Sequence, residues 1–187
     1  GDINVVIQAP VALRDKIART VRTFEVDHLG CPATHDVTLH PERRPTANDA
    51  PLVGVTSVTA CRYAVLYESD RASRPPIQPS LLSSARWGGK AASDLVRAIE
   101  SAPRGTGPND SSTCLDAYGD EMMTLRIVSE TGVSQMYVRY SGCDHHGFDD
   151  GALVRALTRT SLRPFLEGPN RQSGWDSSMS PLIDHVD

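Results

Sequence analysis

The stretch SGCDHHGFDDG, residues 141–151, gathers the side-chain types that bind metals and transfer protons. Within eleven positions it holds one cysteine, two histidines and three aspartates. Thiolate, imidazole and carboxylate groups together could bind zinc or supply the acid and base of a hydrolase. The same letters suit a tight connection, because Gly142 and Gly147 permit unusual backbone angles and aspartates begin helices.

Structural roles account for most of this stretch. It follows a predicted strand and precedes a predicted helix, so Asp149 or Asp150 would cap that helix and Cys143 would form a disulfide. The neighbouring His145 and His146 point in different directions and rarely bind one ion together. We therefore expect no catalytic, cofactor or metal site. The alternative, the site of a metal-dependent or hydrolytic enzyme, consists of Asp144, His145, His146 and Asp149.

Other chemical motifs are weaker still. His28, Cys31 and His35 could bind zinc only if Cys31 is a free thiolate. No GxSxG or SxxK motif is present, and RWGGKAAS at residues 86–93 lacks the full phosphate-loop spacing. That last motif predicts the start of a helix instead.

Composition excludes two broad classes of protein. The chain has 187 residues, a net charge of -4 and a pI near 5.8. A nucleic-acid-binding domain would carry a clearly basic face, so we expect no nucleic-acid partner. No apolar run is long enough to span a bilayer. The hydrophobic fraction of 39% is sufficient for a real core.

The four cysteines indicate an oxidising compartment. They are Cys31, Cys61, Cys114 and Cys143, and no two form a CxxC pair. An even number of separated cysteines is typical of exported, disulfide-bonded proteins. Three pairings can be drawn. We favour Cys114 with Cys143, which flank one predicted hairpin, and this leaves Cys31 with Cys61. Because the chain begins at Gly1 without a methionine, we expect that a signal or lipid-anchor region precedes it.

Hydrophobic periodicity predicts the elements. Residues 52–67 read as a long central strand, and two alternating runs joined by SETG, residues 129–132, form the clearest hairpin. Helices are expected at residues 89–101 and 150–162. INVVIQAP is expected to be a strand that leads into a further helix, whose apolar face is formed by Leu13, Ile17, Val21 and Phe24.

These elements predict an α+β fold, with helices packed on one face of a mainly antiparallel sheet and disulfides that cross-link it. Residues 1–167 would form a single domain, in which residues 1–50 could be a small N-terminal unit. The proline-rich residues 32–51 form a loop over part of the core. Residues 168–187 would be a C-terminal tail.

Four stretches carry a family resemblance: VTSVTACRYAVLY, DLVRAIESAPRG, STCLDAYGDEMMTLRI and YVRYSGCDHHGFDDGALVRALT. Together they resemble uncharacterised extracytoplasmic proteins and lipoproteins of actinobacteria, over about residues 52–165. The resemblance implies a secreted or lipid-anchored, disulfide-bonded protein and no established activity. We expect an exported, non-catalytic domain without cofactors that binds a cell-envelope or protein partner. The alternative is the enzyme described above.

Overall fold

A computed structural model describes residues 8–21, 23–47, 51–65, 81–110, 117–167 and 182. At its centre lies a six-stranded antiparallel sheet of order β2-β1-β3-β4-β5-β6. The strands are β1 Ser57–Ala64, β2 Leu81–Gly88, β3 Glu121–Ser129, β4 Gly132–Arg139, β5 Gly147–Asp149 and β6 Val154–Arg155. The helices are α1 Val11–Ala18, α2 Gly89–Glu100 and α3 Arg159–Leu162. The α+β class is as predicted.

Helices α2 and α3 pack on one face of the sheet. The buried face of α2 consists of Ala92, Leu95, Val96 and Ile99, the residues expected from their helical spacing. They belong to the same core cluster as alternate residues of the inner strands, such as Val58 of β1 and Leu125 of β3. Each fully buried aliphatic side chain contributes about 1.5–3 kcal/mol. This core therefore fixes the position of α2 on the predicted face.

The opposite face of the sheet is covered by residues 27–47, which we call the covering segment. It contains one short 3₁₀ helix, Asp36–Thr38, whose Val37 packs in a small cluster with Tyr137. His35 contacts the rings of Tyr63 and Tyr137, with centroid distances of 5.5 and 5.8 Å. The expectation of a loop over the core is thus confirmed.

A disulfide joins Cys31 of the covering segment to Cys61 of β1. The turn before it is shaped by Asp27, whose carboxylate accepts hydrogen bonds from the N–H groups of Leu29 at 2.9 Å and Cys31 at 2.7 Å. Next to the bond, the hydroxyl of Tyr63 donates to the carbonyl of Pro32 at 2.9 Å. The predicted pairing is confirmed, and with Cys31 oxidised the zinc alternative fails. Cys143 is also disulfide-bonded, while its predicted partner Cys114 lies outside the described residues.

One strand was missed, and one predicted helix is wrong. Residues 81–88, to which the sequence pattern assigned no strand, form the edge strand β2, because they pair with Ser57 to Tyr63 of β1. The helix start predicted at RWGGKAAS is confirmed, since α2 begins at Gly89. The helix predicted for residues 150–162 is replaced by a turn, β6 and the short α3. Helix α3 begins at a Thr158–Ser161 capping box, so neither Asp149 nor Asp150 caps it.

Helix α1 is present but ends earlier than expected. It stops at Ala18, and none of its residues is buried. The apolar face predicted from Leu13, Ile17, Val21 and Phe24 is exposed. The turn at Asp27 and a bridge between Val26 and Pro32 occupy the region where this helix was expected to end. Most of INVVIQAP, and all of the predicted tail except Leu182, lie outside the described residues.

The Cys31–Cys61 bond should contribute strongly to stability. It closes a loop with a sequence separation of 30 residues. The chain-entropy model gives about 3–4 kcal/mol for a loop of that size. Replacing both cysteines by alanine should lower the free energy of unfolding by that amount in denaturant titrations. A loss below about 1 kcal/mol would show that the covering segment is held without it.

Candidate functional site

Residues 141–151 form a connection and a strand at one end of the sheet. Residues 147–149 are β5, which pairs with β4 on one side and with β6 on the other. Gly147 is required there, because a Cβ atom would lie 2.7 Å from Cγ1 of Val154 and 2.8 Å from the carbonyl oxygen of Arg155. Asp150 then shapes the next turn by accepting the N–H groups of Ala152 at 2.9 Å and Leu153 at 2.6 Å.

Asp149 lies at the centre of a buried charge network. Its side chain is only 2% exposed. One carboxylate oxygen lies 3.0 Å from a guanidinium nitrogen of Arg139, and the other lies 2.6 Å from one of Arg44. The N–H of Gly151 donates to the same carboxylate at 2.9 Å. Among the described residues, the carboxylate is thus satisfied by two arginines and one backbone N–H group.

These partners hold Asp149 in its ionised form. Burial by itself would raise the pKa of this carboxyl. Hydrogen bonds from Arg44, the N–H of Gly151 and Arg139 outweigh burial and hold the pKa below its ordinary value. An aspartate in this state stabilises positive charge and is a poor general acid at neutral pH.

Arg139 extends the network into the covering segment. Its guanidinium donates to the carbonyl oxygens of Pro41 at 3.0 Å and Arg43 at 2.6 Å. Because Arg139 belongs to β4 and Asp149 to β5, the ion pair joins two strands to the covering segment. Strand alternation places Arg139 on the face of β4 opposite Val138, but nothing in the sequence links it to Arg44.

His146 is a buried structural residue. Its exposed fraction is 0%, and its Nδ1 lies against the carbonyl oxygen of Pro108, while its Nε2 lies 3.1 Å from that of Gly142. Its backbone N–H donates to Oδ1 of Asn109 at 3.1 Å, and its carbonyl accepts the N–H of Gly107 at 2.8 Å. The imidazole thus joins the loop of residues 105–110 to the connection before β5.

His145 points away from His146, as expected for neighbouring residues. It is exposed and adopts a left-handed backbone with φ of 59°. Its ring stacks on Tyr118 with a centroid distance of 4.9 Å, and Arg139 lies 5.9 Å from the centre of the Tyr118 ring. Asp144 accepts the backbone N–H of His145 at 2.6 Å. The four residues of the alternative site therefore lie close in sequence but do not converge on a common point.

The arrangement supports structure better than it supports catalysis. A general base needs a group that orients it and open access to a substrate. Of the four residues of the alternative site, only His145 is exposed, and its ring contacts Tyr118. Within the described ranges no group of three or more His, Cys, Asp or Glu residues could hold a metal ion. The other histidine of interest, His35, is half-buried, and burial lowers its pKa.

Comparison of the chain with models of protein families, with curated proteins and with solved structures gives no significant match. In the part of the chain that the structure describes, no helix is long and apolar enough to cross a bilayer.

Replacing Asp149 by asparagine should destabilise the protein by about 3–5 kcal/mol, because the buried guanidinium of Arg139 loses its counter-charge. The effect should depend on pH. Since folding lowers the pKa of Asp149, its contribution is present above the unfolded pKa, near 3.9, and is lost as the pH falls through the lower folded pKa. The free energies of unfolding of the two proteins, measured by denaturant titration from pH 7 to pH 2, should therefore converge in acid.

Asp144→Asn is the control and should change stability by less than about 1 kcal/mol. Equal effects of the two substitutions would contradict the network.

The two histidines should differ sharply in stability measurements. His146→Ala removes a fully buried ring and the hydrogen bond that its N–H donates to a backbone carbonyl, at a cost of about 2–4 kcal/mol. His145→Ala should stay within about 0.5 kcal/mol of the parent. His145→Gly should be at least as stable as His145→Ala, because glycine adopts a φ of 59° without strain. Thermal and denaturant unfolding measure all three, and a silent His146→Ala would refute the structural role.

Proposed function

We propose that this chain is a non-catalytic binding domain that acts outside the cytoplasm, on a cell-envelope component or a protein partner. One observation carries the proposal: the groups of residues 141–151 best suited to chemistry serve the fold. Asp149 neutralises two arginines, and both ring nitrogens of His146 face backbone carbonyls. Residues used in this way support a stable surface rather than a reaction.

The proposed compartment follows from cysteine chemistry. Cys31 and Cys61 are joined to each other, and Cys143 is also oxidised. Structural disulfides persist in exported proteins and are rare in the cytosol. The resemblance to extracytoplasmic proteins and lipoproteins of actinobacteria agrees with this location. Lipid anchoring would hold the domain at the envelope, and free secretion would release it into the medium.

The enzyme alternative rests on His145, the exposed member of the group. Its imidazole would have to act as base without an orienting carboxylate, since Asp144 accepts the backbone N–H and not the ring. The contact with Tyr118 holds the ring flat against the protein. These contacts favour the binding domain over a hydrolase.

Protein purified without a polyhistidine tag tests the choice. We expect elemental analysis to find no stoichiometric transition metal. Ester and phosphoester substrates should be hydrolysed at the same background rate by the parent chain and by His145→Ala. A stoichiometric metal that is lost in His145→Ala, or turnover that requires His145, would replace the proposal by the enzyme alternative.

The compartment needs a separate test in cells of the native source. We expect the protein to fractionate with the envelope or the medium, and to be digested by protease added to intact cells. Alkylation of the denatured protein should find no free thiols. A cytoplasmic protein with four free thiols would contradict the proposed location.

A further inference from the structure

A row of polar residues crosses three strands on the face of the sheet opposite α2. In the sheet register, Thr59 of β1 lies beside Arg86 of β2 and beside Arg126 of β3. The neighbours of Thr59 in β1, Val58 and Ala60, pack in the α2 core. Because side chains alternate along a strand, the row faces the other way. We call it the Arg86–Thr59–Arg126 row.

Both arginines of the row are exposed cations without a carboxylate partner in the described part of the chain. Arg86 donates a hydrogen bond of 3.3 Å to the hydroxyl of Ser57, and Arg126 forms no ion pair with the described residues. Their Cα atoms are two strand spacings apart, about 10 Å. Two long cationic side chains that flank one residue can therefore converge above it. This concentration of positive charge occurs in a chain whose net charge is -4.

Thr59, between the two arginines, carries a buried hydroxyl that has no hydrogen-bond partner among the described residues. The residue is 3% exposed, and its side chain makes no hydrogen bond to the residues that the structure describes. Buried hydroxyl groups almost always have a hydrogen-bond partner, because a buried hydroxyl without one has lost the hydrogen bonds that it made to water. Valine would fit the same strand position without that cost. The hydroxyl is explained if a ligand between the arginines accepts its hydrogen bond.

We propose that the Arg86–Thr59–Arg126 row binds a phosphate group. Two guanidinium groups and a hydroxyl offer donors from several directions, which matches a tetrahedral anion with several acceptor oxygens better than a planar carboxylate with two. Binding would remove the repulsion between the arginines and satisfy Thr59. A hydrogen-bond-distance contact of 3.2 Å between His35 and Gln135, the neighbour of Arg126 in the register, places the covering segment beside the row.

The phosphate could belong to a soluble ester, to an envelope polymer or to a lipid headgroup. Assigning it to the envelope rests on the proposed function, whereas the binding of phosphate does not. Inorganic phosphate tests the shared chemistry. Vesicles of phosphatidylglycerol, compared with vesicles of phosphatidylcholine, test the lipid source.

Nuclear magnetic resonance titration of the full chain with inorganic phosphate measures the binding directly. We expect saturable shifts confined to β1, β2 and β3, and much weaker shifts with acetate at equal ionic strength. Replacing both Arg86 and Arg126 by glutamine should weaken binding at least tenfold. Arg97→Gln is the matched control, because Arg97 is an exposed arginine on α2 that pairs with Asp94 at 3.1 Å. It should bind phosphate like the parent chain.

Thr59→Val separates binding from folding. It should bind phosphate about three- to tenfold more weakly. Its denaturation midpoint should stay equal to that of the parent or rise, because no side-chain hydrogen bond to a described residue is lost. Vesicle binding that needs both arginines would assign the phosphate to a lipid headgroup; phosphate binding without vesicle binding would assign it to a soluble or polymeric ester. Either result supports the row as the site.

Three results would overturn the inference. The first is no saturable binding of phosphate, and the second is a loss of binding in Arg97→Gln as large as that in the double glutamine variant. The third is unchanged binding in both Thr59→Val and the double glutamine variant. None of these would restore a catalytic site at His145. Conversely, turnover that depends on His145 would refute the proposed function. It would leave the phosphate inference standing, because that inference is tested by the substitutions of Arg86, Arg126 and Thr59.

Discussion

The buried ion pair between Arg139 and Asp149 is the interaction on which the second face of the sheet depends. Helices cover the first face, but the second is covered by a segment with one short 3₁₀ helix and few strand contacts. Such a segment needs specific anchors, because it cannot bury a continuous apolar face. Arg139 supplies one anchor through the carbonyls of Pro41 and Arg43, and Asp149 supplies another through Arg44. If either partner were absent, a charge would remain buried without compensation.

The covering segment is fixed at both ends by different chemistry. The Cys31–Cys61 disulfide holds its beginning covalently, and the charge network holds its end. Between these anchors, His35 and Val37 pack against tyrosine side chains of the sheet. The covalent anchor constrains mainly the unfolded chain, whereas the ion pair stabilises only the folded state. Acid should therefore loosen the end of the segment at Arg44 before the end at Cys31.

The same arrangement gives the polar surface beside the covering segment a fixed geometry. The Arg86–Thr59–Arg126 row is built on β1, which lies between two hydrogen-bonded neighbours, and side chains on a central strand are held more precisely than side chains on a loop. The connection of residues 141–151 also presents His145 at the surface, stacked on Tyr118, but this exposure follows from the left-handed turn at His145. A rigid sheet that positions a few exposed cations suits recognition better than a strained loop with one exposed imidazole does.

Local sequence signals predicted the elements that local forces determine. The hairpin of β3 and β4 follows from alternation, and helix α2 follows from helical spacing. The Cys31–Cys61 pair was reached only by elimination, after Cys114 had been paired with Cys143 across the predicted hairpin. Strand β2 was missed because LLSSARWG does not alternate cleanly and becomes a strand by pairing with β1. The last predicted helix failed because apolar residues at helical spacing also occur by chance across a turn and a two-residue strand. The role of Asp149 was out of reach, since Arg44 lies 105 positions away. A double-mutant cycle with Arg139→Met and Asp149→Leu, measured by denaturant unfolding at pH 7, tests the central claim that this pair holds the second face together. We predict a coupling energy above about 2 kcal/mol, and a coupling within about 0.5 kcal/mol of zero would contradict the account.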